Sequence, residues 1–350
     1  MLNERIEARW ITAFTRVFEL CRVAPGEVCA IVSETQSRPV NVQLAELALL
    51  RLGARPFHIQ LVSPVQDAPV AIRSTGASVA LQSLGPAVQA LAGSGLVVDC
   101  TVEGLMHAPE IGAILRGGAR VLIVPDEHPE ALERLVPDPS LEAPVRTGMR
   151  MLKRARRMQV TSNAGTQLVV SLAGAVITGG WGYTDKPGTL AQWPGGFCMC
   201  QPASGCVNGV LVPAPGDVNL TFKRYLESKV TLLVQNDYVV DIKGTGMDAN
   251  LMRSYFSAWE DRDAYAVSHV GWGMNPAARW DSMAMYDKRD FNGTELRTFA
   301  GNFLYSTGAN QVAGRRTAGH FDLPLCNCTV ALDDHVVVEE GVLNLDAFKE

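Results

Sequence analysis

Histidine is scarce in this chain, at six in 350 residues. Charge is sparse as well: charged residues make up 19% and the net charge is −5. Nucleic acid is therefore excluded as the main partner, because holding phosphates needs a positive surface. The one basic stretch contains Arg146, Arg150, Lys153, Arg154, Arg156 and Arg157 and reads as the solvated face of a helix. No G-x-G-x-x-G follows the first apolar strand and no Walker lysine motif occurs, so nucleotide binding has no support. Internal repeats and low-complexity segments are absent too. The eight cysteines lack zinc spacing. Cys198-Met199-Cys200 and Cys326-Asn327-Cys328 have a single residue between partners, where structural zinc sites favour roughly two to four. The opening Met1-Leu2-Asn3-Glu4-Arg5 is charged and has no apolar signal core. A cytoplasmic location with reduced thiols is expected. The uncharged run from Met158 to Thr184 is broken by Thr161, Ser162, Asn163, Gln167 and Ser171. It reads as buried strands, with no membrane span expected.

At 47% hydrophobic, the chain can bury substantial cores, and its length suits two domains. Ile6, Trp10, Phe14, Val17, Phe18 and Cys21 mark one face of an opening helix. A short strand at Val28 to Ser33 precedes a second helix that ends at Gly53. Further strands are predicted at Pro56 to Val62, Gly95 to Cys100 and Arg120 to Val124, with helical stretches between them. This alternation predicts an N-terminal α/β domain with a parallel sheet over residues 1–150. A basic helix from about Leu141 to Met158 forms the joint. Residues 151–350 read as a β-rich α+β domain, with strand-like runs at Gln167 to Ile177, Val230 to Ile242 and Val330 to Val338. A helix is predicted from Met247 to Trp259, and Asp333-Asp334 marks a hairpin turn.

The chemistry lies in the few histidines. His58 alternates with Phe57 and Ile59 in a strand and points away from the core, His128 precedes Pro129 at a helix start, and His335 follows the hairpin turn, so all three read as structural. In Gly319-His320-Phe321-Asp322, residues i and i+2 of an extended segment present an imidazole and a carboxylate side by side. His269 lies between apolar residues and glycines in Ser268-His269-Val270-Gly271-Trp272-Gly273. Two histidines and one carboxylate can hold iron(II) on one face and leave the other open for oxygen and substrate. A satisfied core histidine remains the alternative for either one taken alone. Cys326 and Cys328 follow closely on Asp322 and are expected near the same site. His107 falls just past the strand ending at Cys100, where open parallel sheets bind ligands, and an imidazole there can exchange protons near neutral pH.

Ser268-His269-Val270-Gly271-Trp272-Gly273-Met274-Asn275-Pro276 and Ala318-Gly319-His320-Phe321-Asp322 resemble the thermophilic metallo-aminopeptidase family. They are closer still to its ring-opening relatives, the 2,5-dihydroxypyridine 5,6-dioxygenases. His269 stands where the peptidases place a glutamate before G-x-G-x-N-P, Phe197 follows Pro194-Gly195-Gly196 where they carry another, and Leu304 falls near a further peptidase histidine. Those losses dismantle a two-metal hydrolase site and suit a single redox-active metal. The resemblance implies a mononuclear iron(II), Fe(2+), bound by His269, His320 and Asp322. It implies that His107 is the catalytic acid/base and that Trp193 and Ser306 bind substrate. It also implies extradiol-like cleavage of 2,5-dihydroxypyridine between C5 and C6 by dioxygen, to N-formylmaleamate, in nicotinate degradation. A homo-oligomer is expected. The alternative is a metallo-aminopeptidase or another metal-dependent hydrolase, or a pyridine-binding protein without catalysis.

Overall fold

A computed structural model describes residues 5–65 and 78–348. The charged opening at Met1 to Glu4 lies outside the described residues. In chain order the first part contains α1 (Ala8–Leu20), β1 (Val28–Glu34), α2 (Pro39–Arg51), β2 (Arg55–Leu61), α3 (Gly85–Ala92), β3 (Leu96–Cys100), α4 (Ile111–Arg116), β4 (Arg120–Ile123), α5 (Pro129–Arg134) and α6 (Glu142–Arg154). There follow β5 (Arg157–Ser162), β6 (Gln167–Ser171), β7 (Val176–Gly180), β8 (Leu190–Gln192), β9 (Phe197–Gln201), β10 (Val207–Leu211), β11 (Val218–Asn219), β12 (Arg224–Tyr225), β13 (Thr231–Gln235) and β14 (Tyr238–Lys243). The last stretch holds α7 (Met247–Ala258), β15 (Val267–Gly273), α8 (Thr294–Thr298), β16 (Phe303–Thr307), β17 (Phe321–Leu325), β18 (Cys328–Leu332), β19 (His335–Glu339) and β20 (Val342–Leu343).

The first sheet is parallel, in the order β2-β1-β3-β4-β8. Its central strands are buried on both faces, which is why they read as unbroken apolar runs. Helices α1 and α2 cover one face through Phe14, Phe18, Leu44 and Leu49, and Leu91 and Ile114 pack on the other. The fifth strand, β8, comes from beyond α6, so the chain returns to complete this sheet. The joint helix α6 buries Val145, Gly148 and Leu152. Its cations turn outward: Arg150, Lys153 and Arg154 are exposed, and Arg146 lies 4.4 Å over the Trp181 ring.

Two large antiparallel sheets, β14-β13-β10-β6-β5-β18-β19-β20 and β17-β16-β15-β9-β7, and a two-stranded antiparallel ribbon, β11-β12, make up the rest. A large shared core that includes Leu168, Leu232, Phe256, Trp272, Tyr305 and Phe321 fills the space around them. Two runs that read as single strands are each broken by a turn, the first passing from one sheet to the other and the second forming a hairpin. Gln167 to Ile177 breaks at a turn in which Ala175 N–H bonds to Leu172 O at 3.2 Å. Val230 to Ile242 breaks at Asn236-Asp237, whose φ values of 47° and 78° make the mirror-type turn suited to a hairpin. The Asp333-Asp334 turn joins β18 to β19 as its sequence predicted. All eight cysteines are free thiols, and among the described residues no helix is long and apolar enough to cross a membrane.

Candidate metal centre and active site

The β17-β16-β15 ladder builds one wall of the site through its register. His269 pairs with Ser306, and Ser306 pairs with Asp322. Residues directly opposite in a ladder point to the same face, so the three form a row across the sheet. Leu304, one step along on β16, joins the same face. The intervening residues Val270, Phe303, Tyr305, Phe321 and Leu323 point into the core. This period-two division leaves the His269 row facing a cavity. Gly271 is required beside it, because a Cβ there would lie 2.1 Å from Cys198 O on β9.

His320 immediately precedes β17. The Tyr255 hydroxyl clamps its backbone, donating to His320 O at 2.6 Å and accepting from His320 N–H at 2.9 Å. His320 Nε2 reaches Asp322 Oδ1 at 3.2 Å, the side-by-side pair that the H-x-D spacing predicts. The opposite wall comes from the carboxyl ends of the parallel strands. The loop after β3 carries Glu103, Gly104, Met106 and His107, β4 ends in Ile123, and β8 ends in Gln192, and all of these line the cavity.

His107, His269 and His320 converge from the two walls. Their rings are 5.9 Å (His107–His269), 4.9 Å (His107–His320) and 5.4 Å (His269–His320) apart between centroids. One nitrogen from each can be chosen so that all three lie within 4.8 Å of one another. Burial pushes the His269 imidazole down to about 3. Burial first, then the neighbouring His320 and His269, holds His107 well below its ordinary value. Both are therefore neutral near pH 7, the form of imidazole that ligates metals. Ser268 Oγ donates to Ala309 O at 2.6 Å and lies 3.2 Å from His269 Nδ1. With its proton committed, the hydroxyl accepts from Nδ1–H and leaves Nε2 with a free lone pair.

Asp322 adjoins the cluster rather than standing equidistant from its members. Its Oδ2 accepts from Arg297 Nε at 2.6 Å, and its Oδ1 accepts from the Ser306 hydroxyl. Burial alone would raise this carboxyl, but the Arg297 guanidinium and His320 outweigh it and hold it well below the carboxylate range. Oδ1 faces both Ser306 and His320, and Oδ2 retains a second lone pair beside its bond to Arg297. The donor set of neutral imidazoles and an ionised carboxylate fits a divalent transition metal.

Ser306 thus serves Asp322, its own neighbour in the ladder. Trp193 does not reach the cavity: it is fully buried, its indole N–H donates to Leu135 O at 2.8 Å, and its ring packs on Phe14. The preceding residue, Gln192, lines the cavity instead, because alternate residues of a strand face opposite ways. Cys326 and Cys328 are also remote from it. Cys328 lies in the core, and Cys326 N–H bonds to Asp217 Oδ1 at 2.8 Å. His58 and His335 are exposed, and His128 Nδ1 caps α5 by accepting from Glu130 N–H at 3.2 Å.

Arg297 had no sequence signal. It sits on the single turn of α8, which is tied to the first part of the chain. Glu127 Oε1 accepts from Gly293 N–H at 2.7 Å and Thr294 N–H at 3.1 Å, and Arg134 pairs with Glu295. Phe197, Met199, Leu220 and Leu304 supply the apolar lining.

An imidazole cluster at the carboxyl end of a parallel sheet, backed by an antiparallel sheet carrying a carboxylate, forms a candidate metal centre in a protein of mixed α/β architecture. The same fold occurs in AmpT from Thermus thermophilus, with a TM-score of 0.62 over 96% of this chain and 99% of that one; at 14% identity the likeness is one of fold alone. The chain belongs to the NicX family, 2,5-dihydroxypyridine 5,6-dioxygenase, whose model matches residues 9–345. It is 35% identical over 334 residues to the 2,5-dihydroxypyridine 5,6-dioxygenase of Pseudomonas putida KT2440, covering 94% of each chain. The solved structure of 2,5-dihydroxypyridine dioxygenase from the same strain matches with a TM-score of 0.91 at 33% identity, covering 97% of this chain and 98% of that one. The family is the one that the two motifs resemble.

Proposed function

We propose that this protein is an iron(II)-dependent, extradiol-like 2,5-dihydroxypyridine 5,6-dioxygenase. It opens the pyridine ring between C5 and C6 with dioxygen and yields N-formylmaleamate, a step of nicotinate degradation. The observation that carries this reading is the convergence of three imidazoles beside an ionised Asp322 in a cavity with an apolar lining. Family membership over nearly the whole chain supports the substrate. In this reading His269, His320 and Asp322 hold the metal. Iron(II) held there would supply the one-electron chemistry that lets ground-state dioxygen react with a closed-shell ring.

The remaining work falls to the protein. Phe197, Met199 and Leu304 present apolar surface and exclude water from the ring. Arg297 keeps Asp322 ionised and fixes its orientation. His107, neutral and on the opposite wall, takes the proton from the ring hydroxyl as the substrate settles and returns it during ring opening. Gly271 lets β15 lie close against β9, where a Cβ would meet the Cys198 carbonyl.

A second reading is favoured by the nitrogen cluster itself, in which His107 is a third imidazole ligand. Metal quantitation of His107→Ala separates the two: a metal-replete, slow variant assigns proton transfer, and a metal-poor one assigns ligation. The primary test is anaerobic purification, iron quantitation and oxygen uptake with 2,5-dihydroxypyridine. One dioxygen consumed per ring lost is the expected result. Peptide hydrolysis without oxygen, at two metals per chain, would replace this reading with the aminopeptidase one. Binding without turnover or metal would leave a pyridine-binding protein. A cytoplasmic, self-associating enzyme completes the proposal, and light scattering tests the oligomer.

A further inference from the structure

Two buried carboxylates have no place in the mechanism above, yet both hold the loop that carries His107. Asp99 is fully buried on β3, in register with Val32 on one side and Ile123 on the other. Its Oδ1 accepts from Thr101 N–H at 3.0 Å and from the Thr101 hydroxyl at 2.7 Å. Its Oδ2 accepts from Leu105 N–H at 2.6 Å. Glu34, 3% exposed at the end of β1, accepts from Val102 N–H at 3.3 Å through Oε1. Three backbone N–H groups between residues 101 and 105 therefore point at side-chain carboxylates rather than at backbone carbonyls. Gly104 completes the turn at φ +75°, a conformation that L side chains rarely adopt. Leu105 and Ala108 anchor the far side of the loop, both fully buried, with Ala108 N–H bonded to Leu105 O at 3.0 Å. His107 lies between these two anchors.

A loop wrapped around a central-strand carboxylate cannot slide along the sheet without breaking several hydrogen bonds in a buried setting. Both carboxylates are acceptors facing donors, so the arrangement needs the oxygen atoms themselves and not merely their volume. We propose that Asp99, assisted by Glu34, is a positioning residue that sets the His107 imidazole against His320 and His269 and thereby determines its proton transfer. The inference rests on the role assigned to His107 above.

Asp99→Asn keeps the shape but turns one oxygen into an amide NH2 that faces N–H donors. Crystals of this variant are expected to show the His107 ring displaced by about 1 Å or more from its 4.9 Å centroid separation from His320; a misplacement of that size can cost on the order of 100-fold in rate. The kcat should fall by about that factor with KM little changed. In a His107→Ala background the same substitution should cost less than about twofold more, because a residue that acts through another adds nothing once that partner is gone. An unmoved ring, or an equal loss in both backgrounds, overturns the proposal. Should Asp99→Asn fail to fold, Thr101→Val removes one bond to the carboxylate and is read by the same two measurements. If the iron-loaded wild type consumes no dioxygen with the ring, the functional reading fails, and the crystallographic measurement still decides the positioning.

Discussion

His269 and Asp322 stand in two strands that flank β16 on one wall of the cavity, whereas His107 stands in a loop on the other. The strand-borne groups owe their separation to ladder register, with Ser306 between them in the same row. Shifting that register by one residue would turn every member of the row away from the cavity. The loop-borne imidazole owes its place to hydrogen bonds from the loop backbone to Asp99 and Glu34. A ladder fixes position with many redundant bonds, and a carboxylate-wrapped turn fixes it with few. The strand wall is suited to holding a metal rigidly, and the loop wall to presenting the proposed proton-transfer group at a set position.

Substitutions on the two walls should therefore fail in different ways. The largest effect belongs to His320→Ala and Asp322→Ala, which should lose bound iron and more than about 100-fold in turnover, since even outer-shell losses cost 10- to 100-fold. Iron quantitation beside oxygen uptake measures both, and full iron with full activity in either variant would remove that residue from the metal site. His107→Ala should lower kcat by roughly 100- to 10,000-fold while keeping its iron. Iron loss there would erase the contrast between the walls and make His107 a ligand. Arg297→Gln removes the 2.6 Å contact to Asp322 and should weaken metal binding by about 10- to 100-fold, read by competition with a chelator. An unchanged metal affinity would mean that the ladder alone orients the carboxylate.

The smallest effect is one of stability. Burial raises the Glu34 carboxyl from 4.5 to about 7. The folded chain thus binds this proton more tightly than the unfolded one, so its contribution is fully present below about pH 4.5 and is lost as pH rises through 7. Urea unfolding of Glu34→Gln across that window should show a shallower fall in stability with pH than the wild type. An identical slope would mean that this carboxyl does not titrate on folding.

Much of this was legible in the sequence, because the relevant signals are local. The i, i+2 spacing of His320 and Asp322 set them side by side, and the apolar runs with intervening helices set the parallel sheet. The position of His107 past Cys100 followed from where parallel sheets bind ligands. Other features depend on pairings that spacing does not encode. Arg297 meets Asp322 only because β17 and α8 are brought together by the fold. Ser306 faces Asp322 because of ladder register, so its hydroxyl is spent within the protein rather than offered to a substrate. Trp193 and Gln192 alternate on one strand, and the aromatic went to the core. The runs over Gln167 to Ile177 and Val230 to Ile242 looked continuous because their turns are short and lie between apolar flanks.

The late arrival of β8 has a consequence for dissecting the protein. Residues 190–192 pair in parallel with β4, hydrogen-bonding Leu190 beside Val121. A fragment stopped anywhere before them would leave the β4 backbone as a bare, apolar border open to pairing with other copies. The two portions of this gene are thus expected to yield aggregates when expressed apart and to dissolve when co-expressed, with the missing ribbon supplied from the other polypeptide.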